Sequence, residues 1–199
     1  MFDHYQYQQQ FVENHKEGNP PINDAIEYGV AIEPCRPEEG EFYWKIIGLH
    51  HLTPEENVGK HNLFMDVLDA AGGRVEPFFE VDWTWEGRRP DEAAPPVRLD
   101  KPQNEPGGNL SVWINQTVSA WVTDDNECSD TIGNVHTRHA DESGGNTVGH
   151  HSFYVVWMLA EAGEEPDPPL PPLPEPSDDC EKVLLQIKEL IDGYFENQT

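Results

Sequence analysis

The chain has 199 residues, enough for one domain with appendages, and its mean hydropathy of -0.69 is low for a compact globule. Its 38 acidic and 12 basic residues give a formal net charge of -26, which repels nucleic acid and anionic membrane surfaces and fits solubility in a crowded or salty setting. The first residues, MFDHYQYQQQFVENHKEGN, lack the basic and apolar regions of a signal peptide, and no apolar run is long enough to span a bilayer.

Residues 1–21 are polar and Gln-rich, without a helical or strand period, and read as an extended N-terminal arm that a neighbour would have to order. Residues 22–162 read as strands. After a short run at Tyr28–Glu33, the segments Tyr43–Leu52, His61–Ala70, Phe78–Trp85, Leu110–Thr123 and His151–Ala160 are rich in β-branched and aromatic residues. In Phe79–Trp85 the alternation is plain, with Phe79, Val81, Trp83 and Trp85 on one face and Glu80, Asp82 and Thr84 on the other. Turn-forming stretches such as AAGGR, EGRRPDEAAPP, KPQNEPGG and DDNECSD separate these runs. No segment before residue 163 shows a convincing helical period. The fold class that follows is mainly β, an antiparallel sandwich of Ig-like or jelly-roll type. Trp44, Ile46, Val67, Val81, Trp83, Val112, Ile114, Phe153 and Val155 are its expected core.

The linkers hold the residues with chemical potential. Trp85, Arg88 and Arg89 fall in WEGRRPDE, and His136, Arg138 and His139 in HTRHADE, so basic residues concentrate in two loops of an acidic chain. One reading is local ion pairing that shapes the loops. The other is a ligand site for an acidic or sugar group, with tryptophan as a stacking platform. His50-His51, His61 and His150-His151 add imidazoles. Adjacent histidines on a strand point to opposite faces, and no HExxH helix or neighbouring cysteine completes a zinc site, so no metal or other cofactor is expected. Asp124–Asp130 is oxygen-rich but lacks the glycine and the twelfth-position glutamate of an EF-hand loop. Three scattered cysteines, Cys35, Cys128 and Cys180, argue against a disulfide framework. No P-loop, GxGxxG or GxSxG is present, and no catalytic residue is assigned.

Residues 163–177 form a proline-rich linker; seven of the eleven residues from Pro166 to Pro176 are proline, which predicts a stiff polyproline II rod. Residues 178–199 follow as a C-terminal amphipathic helix, with Asp178 and Glu181 as a capping pair. Leu184, Ile187, Ile191 and Tyr194 recur at spacings of three, four and three, and Val183 and Leu190 widen the stripe. This is the expected oligomerisation face.

The segments WKIIGLHHLTPEENVGKHNLFMDVLDAAGGRV, WTWEGRRPDEAAPP, NVHTRHADE and GHHSFYVVW together resemble a β-sandwich accessory domain of bacterial and phage-encoded proteins, sometimes attached to lysozyme-like glycosidases. The resemblance covers about Tyr28 to Leu159. It implies an Ig-like module without catalytic residues of its own that contacts a surface or a glycan. Here an arm, a rod and a helix stand where that setting has a hydrolase. The expected function is therefore non-enzymatic and structural, as a phage virion surface protein such as a capsid decoration (cement) protein or head fibre. Its partners would be copies of itself or a capsid lattice. The alternative is a glycan-binding module, at a bacterial cell surface or in the cytoplasm.

Overall fold

The computed structural model describes residues 2–75, 79–114, 116–137 and 151–163. It divides the chain at Gly163 into a unit of residues 1–163 and a second of residues 164–199. The proline-rich linker and the helix expected over 178–199, with Val183, Leu184, Ile187, Leu190, Ile191 and Tyr194, lie outside the described residues.

Residues 1–21 are not an extended arm. Helix α1 (His4–Lys16) occupies most of the segment, with the Asp3 carboxylate at its N-cap accepting from the Gln6 amide. Glutamine and glutamate are good helix formers, and His4, Gln8 and Phe11 give one buried edge. The face is amphipathic in packing without being apolar in composition, so its period was hidden from a hydrophobicity reading.

The chain then runs through β1 (Ile22–Asn23), a 3₁₀ turn (Ala25–Tyr28), β2 (Ala31–Glu33) and β3 (Phe42–His51). A short α2 (Pro54–Asn57) leads into β4 (Asn62–Leu68) and β5 (Glu80–Trp85). There follow β6 (Val97–Arg98), β7 (Gly108–Ser111), β8 (Val118–Thr123), β9 (Cys128–Ser129), β10 (Thr131–Val135) and β11 (Phe153–Glu161). Among the described residues these build two sheets. The larger has the order β1-β3-β11-β4-β7, with β9 also on β3, and the smaller is β2-β10-β8-β5-β6.

The smaller sheet is antiparallel throughout. The larger is mixed, since β1 and β9 run parallel to β3 and β4 runs parallel to β11. This corrects the purely antiparallel expectation. The segment Leu110–Thr123 is likewise not one strand: a turn closed by Gln116 N–H to Trp113 O (3.0 Å) sends the chain from the larger sheet to the smaller.

The two sheets enclose one core. Trp44, Ile46, Met65, Val67, Phe153, Val155 and Trp157 from the larger sheet meet Val81, Val118, Ala120, Val122, Ile132 and Val135 from the smaller. Seven of the nine expected core residues are buried there; Trp83 packs at the margin, and Ile114, half-buried, lies in the turn between sheets. A second cluster covers the opposite face of the larger sheet, where Phe11 of α1 joins Ile47, Leu52, Phe64, Leu68, Tyr154, Val156 and Met158. The larger sheet is therefore buried on both faces, which explains the continuous apolar runs at β4 and β11 in place of alternation.

A bulge fits β3 to this double burial. Gly48 pairs with Val156 and Ile46 with Trp157, so Ile47 is the extra residue, and Ile47 and Gly48 both face α1. Gly48 is required by close approach: a Cβ there would fall 2.0 Å from the Phe11 ring. Gly48→Ala is expected to lower stability by about 1–3 kcal/mol through overpacking. Phe11→Ala alone should cost about 3–5 kcal/mol. In the double variant the two losses should fall well short of additive in urea unfolding, because removing the ring removes the clash.

The α1 face also buries an ion pair. Arg74 donates to Asp66 across 2.7 Å, with side chains 7% and 0% exposed. Asp66 further accepts from the Tyr154 hydroxyl (2.6 Å) and the Gly107 amide (2.8 Å). The same guanidinium donates to the carbonyls of Lys101, Pro102 and Glu105. Arg74→Leu leaves the carboxylate buried without its counter-charge, and a loss of about 3–5 kcal/mol in denaturant unfolding is the expected outcome.

Cys35 and Cys128 form a disulfide, contrary to the expectation from their number and spacing. Their 93-residue separation carries no local signal; the pairing of β2 with β10, which sets Glu33 opposite Thr131, brings them together.

Candidate functional site

The Trp85 loop closes on itself. Trp83 and Trp85 have ring centroids 5.1 Å apart, and the Arg88 guanidinium lies 5.4 Å over Trp85. Arg88 donates twice to the Glu92 carbonyl, at 3.0 and 2.8 Å, and the Trp83 indole N–H donates to Pro95 O at 2.9 Å. Arg89 pairs with Glu92 (3.2 Å) and Asp91 (3.6 Å). Its own amide donates to the Glu92 carboxylate. Local pairing thus shapes this loop.

Trp85 and Val135 both stand opposite Val118, so the loops after β5 and β10 leave the same end of the smaller sheet. There His136 Nδ1 lies 2.7 Å from Asn134 O, with the Asn134 backbone left-handed at φ 58°. Arg138 and His139 lie outside the described residues. Two carboxylates of the Asp124–Asp130 segment have structural tasks. Asp124 accepts from the Trp44 indole at 3.0 Å, and Asp130 accepts from the amides of Cys35 (3.0 Å) and Ile46 (2.9 Å).

The denser chemistry sits at the end of β3, where His50 and His51 point to opposite faces as strand geometry requires. On the sandwich side, His51 Nε2 lies 2.7 Å from His151 Nδ1, and Tyr28 stacks on His51 with centroids 3.6 Å apart. A Cβ on Gly29 would come within 3.9 Å of the His136 ring, so His136 borders the turn that carries Tyr28. Three histidines from β3 and the segments flanking β10 and β11 thus gather at one end. His150 lies outside the described residues. Among the described residues, no group of three His, Cys, Asp or Glu side chains has metal-binding spacing.

On the α1 side, His50 is 5% exposed and lies between two carboxylates. Its Nδ1 is 2.5 Å from Asp24 and its Nε2 is 3.2 Å from Glu56. Tyr7 stacks on the imidazole at 3.9 Å and donates its hydroxyl to Glu56 at 2.7 Å. Burial is the largest influence on His50 and opposes its charging, but the bonds to Asp24 and Glu56 outweigh it and raise its pKa. Burial likewise disfavours the Glu56 carboxylate, yet bonds from Tyr7, Thr53 and His50 hold its pKa at about 2. Burial and the Glu56 carboxylate push the Tyr7 hydroxyl upward.

This chain from Tyr7 through Glu56 and His50 to Asp24 ties α1 to β3 and to the segment after β1. Sequence reading missed it because Asp24, His50 and Glu56 are unremarkable singly, and Tyr7 lay in a segment read as unstructured. The visible signal was Thr53-x-x-Glu56, the capping box that opens α2 and places Glu56.

Protonated His50 donates to both carboxylates, so its contribution to stability is complete below the unfolded imidazole pKa near 6.5. It fades as pH rises through the higher folded value. His4 and His15, whose pKa values burial lowers, act in the opposite sense. The difference in melting temperature between the wild type and His50→Gln should therefore be largest at pH 5–6 and shrink at pH 8–9. A constant difference would count against the clamp.

Compared with protein-family models, curated proteins and solved structures, the chain finds no match.

Proposed function

We propose that the chain is a non-enzymatic structural component of a large assembly, a phage virion surface protein such as a capsid decoration protein or head fibre. The observation that carries this reading is the closed Trp85 loop. Its indoles, guanidinium groups and carboxylates bond to one another, in the pattern of a shaped surface and not of an open groove.

Three further features fit. One sheet is buried on both faces, which makes a stiff body. The Cys35–Cys128 bond joins the exit of β2 to the edge of the larger sheet, and such bonds persist in the oxidising surroundings a particle surface meets. The charge of -26 keeps displayed heads from adhering to one another or to nucleic acid. In this reading residues 178–199 join copies of the chain to one another or to a lattice through Leu184, Ile187, Ile191 and Tyr194.

The test is the mass of the full chain in solution. Light scattering should give a multimer for the wild type and a monomer for Ile187→Asp. A monomeric wild type, or equal masses for the two, would sink the assembly reading.

A further inference from the structure

Five of the six tryptophans are buried or half-buried, and Trp113 is the exception at 59% exposed. Isolated exposed apolar side chains are ordinary. The surroundings of this one are not. It stands in the turn between β7 and β8, where the chain leaves the edge strand of the larger sheet. The turn holds it from both sides: its amide donates to Gln116 Oε1 at 3.2 Å, and its carbonyl accepts from the Gln116 amide at 3.0 Å. The His61 ring lies 5.3 Å from the indole.

Among the described residues, three polar side chains flank it: His61, Asn62 and Gln116. His61 Nδ1 faces Val112 O at 2.8 Å. A carbonyl only accepts, so Nδ1 carries the proton, and in that tautomer Nε2 is the acceptor. Asn62 Oδ1 is engaged by the Ser111 hydroxyl at 3.2 Å, which leaves the Asn62 amide N–H groups as donors. Gln116 Oε1 is engaged by Trp113, which leaves its N–H groups as donors too. Asn62 and Ser111 face each other across β4 and β7, so this set lies along one sheet edge. Residues 106–123 contain no Asp, Glu, Lys or Arg, in a chain where a quarter of the residues are charged.

We infer that this edge is a binding site for a neutral pyranose sugar, with Trp113 as its platform. An indole face takes the C–H face of a sugar ring, and sugar hydroxyls, each donor and acceptor at once, match carboxamide donors beside an imidazole acceptor. A purely apolar partner would strand those polar groups, and an anionic glycan would meet the repulsion of a strongly acidic protein. The site shares no residue with the Trp85 loop or with the assembly segment, although the Glu86 amide donates to Thr117 O at 2.9 Å beside the turn. It therefore goes beyond the structural reading, and its failure is distinct from a failure of that reading.

The experiment is affinity electrophoresis of the full chain through gels containing soluble β-glucan, mannan, galactan or xylan, with alginate as the acidic comparison. At least one neutral polymer should retard the wild type. Trp113→Ala should weaken that retardation at least tenfold in apparent Kd, Trp113→Phe should retain part of it, and Trp85→Ala should leave it unchanged. Unaltered circular dichroism would show that the variants fold. The inference is overturned if no neutral polymer retards the protein, if Trp113→Ala binds as the wild type does, or if alginate is bound through Trp113. It is also overturned if Ile187→Asp raises acrylamide quenching of Trp113, measured as the part of the signal lost in Trp113→Phe, since another segment of protein would then cover the indole.

Discussion

A carboxylate with no solvent exposure governs the outer layer of this protein. Asp66 sits mid-strand in β4, on the face of the larger sheet that α1 covers. A buried charge is tolerated only where it is paired and its remaining lone pairs are occupied. Arg74, the Tyr154 hydroxyl and the Gly107 amide meet that demand. Each partner brings a different stretch of chain: the turn after β4, the central strand β11, and the loop before β7. Arg74 then fixes the loop carbonyls of Lys101, Pro102 and Glu105. Helix α1 packs on this surface, anchored by the His50 clamp and by the bond from Lys16 Nζ to the Ala71 carbonyl at 3.1 Å.

The other side of the molecule turns on Asp130, which is 4% exposed at the corner where β9 of one sheet becomes β10 of the other. Its carboxylate binds the amides of Cys35 and Ile46, and its carbonyl accepts from the Trp157 indole at 2.9 Å. Burial raises its pKa, and the two amide bonds work against that rise. The corner, the disulfide and the end of β2 are thus one connected structure. Strands that switch sheets are held this way because the backbone groups freed at the bend need new partners.

Much of the sandwich was legible because burial leaves a period. Val81 with Phe79, Trp83 and Trp85 followed strand alternation as read, and β3, β4 and β11 were found within one or two residues at most ends. What stayed hidden has physical causes. Helix α1 packs through His4, Gln8 and Phe11, so a polar composition conceals its buried side. The break at Trp113–Gln116 sits in a β-favouring run, and only tertiary structure decides that the chain changes sheets there. Strands β1, β6 and β9 are two residues long and leave no pattern to read. Of the candidate site residues, Arg88 lies over Trp85 and Arg89 pairs with the carboxylates of its own loop. The His50 clamp was missed because its members come from four separate segments.

Strand β11 lies between β3 and β4 at the centre of the larger sheet, yet it is the last strand of the described chain. Its partners in β3 lie about a hundred residues earlier, as in the pairing of Phe153 with His51. Until β11 is synthesised, β3 and β4 each present an unpaired strand edge to solvent, and neither of the two faces can close. The order of synthesis and the order of the sheet therefore oppose each other. Such a topology folds late and slowly, with its greatest exposure to wrong pairing just before the final strand arrives. The same arrangement makes the finished molecule hard to open from either edge, because the strand that both halves of the sheet depend on is the one least accessible from outside.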